Sequence, residues 1–131
     1  MTDPEFDAEA STAALTAVGE AIVGNAEHQD GWAALSLVAT FGGGTESMFG
    51  YVYFDDGSWE ARTPKGWDVL DGLGALREAM AVPGEPGWKA CLLQLRRADL
   101  RLGIDVEYDD AERWKVRPDD LERSVERLRP A

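Results

Sequence analysis

A chain of 131 residues, 44% hydrophobic and 29% charged, has the size and composition of one folded domain, which excludes a disordered or low-complexity protein. Its formal net charge of −12 disfavours nucleic acid and anionic lipid as partners, because the Coulomb forces that hold basic proteins on phosphates push this one away. No apolar run reaches the roughly 20 residues of a membrane span, and the acidic N-terminus is unlike the basic start of a signal peptide, so the expectation is a single domain over residues 1–131 that acts in the cytoplasm.

Asp3-Pro4-Glu5 reads as a helix start, with Asp3 as N-cap and Pro4 in the first turn, where its missing N–H costs nothing. Phe6, Ala10, Ala13, Ala17, Val18, Ala21 and Ile22 then recur at helical spacing, and Gly24-Asn25 offers an end. From Trp32 to Phe41 the apolar run has no helical spacing and reads as a buried strand, broken by Gly42-Gly43-Gly44. That triple glycine lacks the lysine of a phosphate-binding loop and no helix follows it, so it is read as a strand connection. Phe49 to Phe54 is rich in aromatic and β-branched residues, Asp55-Asp56-Gly57-Ser58 supplies turn chemistry, and Trp59 to Thr63 completes a hairpin. Asp68 is predicted to cap a second helix with Val69, Leu73, Leu76 and Met80 on one face, ended by Pro83-Gly84-Glu85-Pro86-Gly87.

Trp88 to Arg96 is a further apolar strand, with a turn at Arg97-Ala98-Asp99. Beyond it Leu100, Leu102, Ile104, Val106 and Tyr108 alternate with Arg101, Gly103, Asp105, Glu107 and Asp109, a period of two that puts one face on the core and the other in water. Pro118 to Arg129 places Leu121, Val125 and Leu128 on one face of a last helix. The fold class is therefore α+β in the order α-β-β-β-α-β-β-α. Its simplest architecture is an antiparallel sheet of about five strands with the helices packed on one face.

The charge is unevenly distributed. Residues 1–61 carry eleven acidic and no basic side chains, whereas residues 62–131 carry fourteen acids and thirteen bases. A cationic protein is the partner such a field favours, although acidic surfaces also serve solubility alone. Asp105, Glu107 and Asp109 project from one strand face at intervals of about 7 Å, and Asp110 extends the patch. Such carboxylates repel one another unless a cation lies among them: a metal, a residue of this chain, or Lys and Arg of another protein. The spacing lacks the turn glycine and distal glutamate of a calcium loop, and one cysteine, Cys91, with one histidine, His28, falls short of a zinc site, so no metal or cofactor is expected. No glycosidase-like acid pair or nucleophilic triad is localised either, and the chain is not expected to be an enzyme. Cys91 is read as a buried, inert thiol. Of the five tryptophans, Trp114 stands in the charged stretch Glu112-Arg113-Trp114-Lys115, where a ring can be an interface anchor or pack over the end of the sheet.

The stretch from Met80 to Trp114 resembles the YezG-like family of bacterial immunity proteins. The residues that carry the resemblance are Pro83-Gly84, Trp88 at a strand start, Ile104-Asp105-Val106-Glu107-Tyr108-Asp109-Asp110 and Trp114, with the Asp56-Gly57-Ser58 turn and the element order fitting loosely elsewhere. The resemblance implies an antitoxin that neutralises a cognate toxin, often a nuclease, of a polymorphic toxin system. A nuclease site is basic because it must hold phosphates, so an acidic inhibitor complements it. Asp105, Glu107, Tyr108, Asp109, Asp110 and Trp114 are the expected contact residues. The alternative is a chaperone-like or regulatory interaction domain, which would expose a sizeable apolar groove.

Overall fold

The computed structural model describes residues 8–25, 31–42, 45–64, 66–81, 84, 87–98 and 101–130. Its elements are α1 (Ala8–Val23), β1 (Ala34–Gly42), β2 (Thr45–Tyr53), β3 (Trp59–Ala61), α2 (Asp68–Ala79), β4 (Ala90–Arg96), β5 (Arg101–Glu107) and α3 (Leu121–Leu128), the last preceded by a 3-10 turn at Pro118–Asp120. The five strands form one antiparallel sheet in the order β3-β2-β1-β4-β5. This is the expected α+β class and element order. The proposed N-cap Asp3, the first-turn Pro4 and Phe6 lie outside the described residues, as do His28 and Leu100.

Register sorts the side chains onto two faces. Leu35, Leu37 and Ala39 of β1 stand beside Leu95, Leu93 and Cys91 of β4, which in turn stand beside Leu102, Ile104 and Val106 of β5. This face meets Val18 and Ile22 of α1 and Val69, Leu70, Leu73 and Leu76 of α2, with Trp32 and Trp88, in the larger core. The buried stripe of α1 is Val18 and Ile22 flanked by Ala14, Leu15 and Ala21, whereas the expected Ala13 and Ala17 face water. Arginines brace the core rim. Arg77 donates from Nε to the Trp88 carbonyl at 2.5 Å and lies over the Phe41 ring, and Arg97 stacks 4.8 Å from the Trp32 centroid.

The opposite face holds a second core: Val38, Tyr51, Tyr53 and Leu92 with Val125 and Leu128 of α3, edged by Phe49, Trp59, Trp114 and Val116. Helix α3 therefore packs on the other side of the sheet, correcting the expectation that all helices share one face. Polar residues complete its docking. A helix leaves its last four carbonyls without intrahelical partners, and here the Tyr53 hydroxyl donates to the Val125 carbonyl at 2.7 Å while Gln94 Nε2 donates to that of Leu128 at 2.9 Å. Ser36 meets the Tyr53 hydroxyl from behind at 3.0 Å.

Two glycines are required by geometry. A Cβ on Gly50 would fall 2.8 Å from the Arg62 carbonyl, in the close approach where Arg62 N–H bonds the Gly50 carbonyl. Gly57, at φ 89°, closes the β2–β3 turn in a conformation that L-residues avoid. Helix α2 begins with Asp68 as its first residue; the cap position is Trp67, without a capping side-chain hydrogen bond, which corrects the role assigned to Asp68.

Candidate partner-binding surface

Strand β5 ends at Glu107, and the chain then turns through residues 108–114 before reaching α3. Glu107 organises that turn from within. Its Oε2 accepts the backbone N–H groups of Asp109 and Asp110 at 3.0 and 3.2 Å, and its Oε1 accepts from Arg113 at 3.3 Å. These bonds hold the Glu107 carboxyl below the usual carboxylate range, the Asp109 and Asp110 amides first and Arg113 after them. Arg113 also covers the Trp114 ring at 4.8 Å. Trp114 is half-buried against the second core. Of the six residues singled out from the sequence, Glu107 and Trp114 are thus engaged inside the protein.

The other four are presented to solvent. Tyr108 is 44% exposed, and Asp105, Asp109 and Asp110 are exposed. Among the described residues Asp105 and Asp109 have no ion-pair partner, while Asp110 Oδ1 accepts the Glu112 N–H at 3.0 Å and Glu112 pairs with Lys115. Asp105 lies on the sheet face that carries α3, but α3 covers the β1, β2 and β4 part of that face and leaves β5 open. The expected register holds for Leu102, Ile104 and Val106, which face α1 and α2. Tyr108, expected to face the helices, lies beyond the strand and points outward.

Two further features escaped the sequence reading. Trp67 is 72% exposed beside Asp68 and Asp71, making it the most exposed large hydrophobic side chain described. Its setting after Pro64-Lys65-Gly66, among turn-forming residues, was the signal. The second is an open apolar groove of about 650 Å³ on the α3 face, floored by Val38, Phe49 and Tyr51 and walled by Val116, Pro118 and Leu121, with the hydrogen-bonded Thr40 and Ser47 hydroxyls at its side. It forms only when the 111–121 segment folds across β1 and β2.

Among the described residues no three His, Cys, Asp or Glu side chains come together as a metal site. Cys91 is fully buried, and desolvation pushes its thiol up to about 12. No described helix is long and apolar enough to cross a membrane. No family model matches the chain, and no curated protein matches it.

Proposed function

We propose that this chain is an immunity protein that binds and neutralises a cognate toxin with a basic surface, acting in the cytoplasm of the cell that makes both. The observation that carries the reading is the open acidic end of β5, where Asp105, Tyr108, Asp109 and Asp110 are all exposed within one short stretch of chain. Asp105 and Asp109 carboxylates without an ion-pair partner among the described residues, in the same stretch as an amphipathic aromatic, suit a partner that brings Lys or Arg, although Lys89 Nζ lies 3.5 Å from the Asp109 carbonyl. The resemblance of residues 80–114 to the YezG-like family points to the same class of partner, and binding alone, with no catalytic step, accounts for the arrangement.

The test is co-expression with the toxin domain encoded beside it, using wild type and the double variant Asp105→Lys, Asp109→Lys. Glu107 is left intact because it holds the turn. Wild type should protect the cell and the reversal should protect far less. Failure of the wild type to protect sinks the function, and equal protection by the reversal sinks the surface. A second reading, a chaperone-like or regulatory domain, is favoured by the groove over Val38, Phe49 and Tyr51. It predicts binding that survives high salt and is abolished by Phe49→Asp.

A further inference from the structure

We infer that the partner docks by adding a strand to the open edge of β5, and that the strand it adds is amphipathic and basic: apolar side chains toward α1, Lys or Arg toward Asp105. The inference rests on the proposed immunity function and specifies its geometry. Strand β5 is hydrogen-bonded to β4 on one side and, among the described residues, has no strand on the other. The Glu107 carbonyl accepts the Lys89 N–H at 2.7 Å and so points toward β4. Because backbone groups alternate along a strand, Leu102, Ile104 and Val106 turn their N–H and C=O groups outward, six bonding groups in one row that meet no strand among the described residues. Such an edge is a template for an extended segment of another chain.

The flanks of the edge select the occupant. On the helix side, an open apolar groove of about 630 Å³ runs between α1 and the sheet, lined by Leu15, Gly19, Val23, Leu95 and Leu102, with the acid Glu20 at its margin. Alternate side chains of an added strand would enter it. On the other side the exposed Asp105 carboxylate meets the intervening side chains, and the exposed Asp109 lies in the turn just beyond the strand. The remaining free edge suits this role less well: β3 is three residues long, and the part of β2 beyond it, Thr45 to Gly50, carries one ionisable side chain, Glu46. A second copy of this chain is disfavoured because each copy brings a net charge of −12.

The probe is a blocked seven-residue peptide of alternating Lys and Val, with an alternating Glu and Val peptide as control, added to the full chain while amide hydrogen exchange is followed residue by residue. The basic peptide should slow exchange at Leu102, Ile104 and Val106 about tenfold or more, and the acidic one should not. A polycation merely condensed on the acidic surface would not protect those three amides, and that outcome overturns the proposal. So would protection by both peptides, or concentration-dependent dimerisation that protects the edge without peptide. Ile104→Pro removes an outward N–H and should abolish protection. If that variant does not fold, Asp105→Lys, at an exposed position, keeps the backbone intact and should weaken the basic peptide about fivefold or more. Co-expression with the toxin separates the two readings. If wild type and Asp105→Lys protect equally although the latter has lost the peptide, the edge is not the toxin's site and the immunity function stands. If wild type does not protect, the immunity function falls, and the exchange measurement still decides whether the edge accepts a basic strand.

Discussion

Single side chains decide how the acidic end is built. Glu107 serves as acceptor for a turn, and its depressed pKa fixes the pH dependence of that service. Stability from a depressed carboxylate is present above its unfolded pKa and is lost as pH falls through the folded value. Glu107→Ala should therefore lower the urea midpoint at pH 7, with the difference from wild type closing in the acid range; a gap that persists at pH 2 would show that packing, not ionisation, was lost. Tyr53 works at the other end of α3. Burial pushes its phenol up to about 12, so its contribution is complete below about pH 10, the unfolded value, and is lost as pH rises through the folded one. Tyr53→Phe leaves the Val125 carbonyl and the Ser36 hydroxyl with one partner fewer each, and should cost about 1–3 kcal/mol at neutral pH. It should also flatten the decline on the alkaline side, read from melts between pH 8 and 12. Among the tryptophans, position in the charge pattern was a poor guide to exposure. Trp114 has charged neighbours yet packs inward under Arg113, whereas Trp67, flanked by turn residues, is in water. Trp67→Ala should change stability by no more than about 0.5 kcal/mol, and a larger loss would mean that the ring covers part of the core.

At the scale of elements, the alternation of β5 was legible because an edge strand with one covered face must write its burial in period two. The uninterrupted apolar runs of β1 and β4 carried a different message: strands buried on both faces need cover on both. Their side chains account for the second core and so for the placement of α3, which the narrow stripe Val125 and Leu128 could not assign to either face. The long-range bonds from Tyr53 and Gln94 fasten the helix to that face. Helix α3 is eight residues long, too short to be stable by itself, so its stability is that of its docking. Leu128→Ala should cost about 2–5 kcal/mol if the unit stays coupled to the sheet. Amide exchange would reveal the alternative: fast exchange confined to α3 with β1 still protected would mark the helix as a separately opening unit.

For the molecule as a whole, the charge imbalance survives folding as an exposed property: of the eleven acids in the first 61 residues, Glu20, Glu46, Asp55, Asp56 and Glu60 all face solvent. Under the proposed immunity function, association with a basic toxin should be steered, its on-rate falling about tenfold or more between 50 mM and 500 mM salt while dissociation changes less. A salt-insensitive on-rate would place the contact on the apolar groove instead. Cys91, central in the sheet and fully buried, reports on the whole fold: a thiol reagent at pH 8 should react only in denaturant, and rapid labelling of the native protein would contradict this core. By itself the sequence determined the class, the element order, the inward placement of Leu102, Ile104 and Val106 and the sign of the field, because each is set by local periodicity or by counting charges. Tertiary structure alone decided which face α3 covers, that Glu107 turns inward to hold a loop while Asp105 stays in water, and that among the described strands β5 is the long edge. Those depend on which distant segments meet, and neither spacing nor composition encodes a meeting between residues 53 and 125.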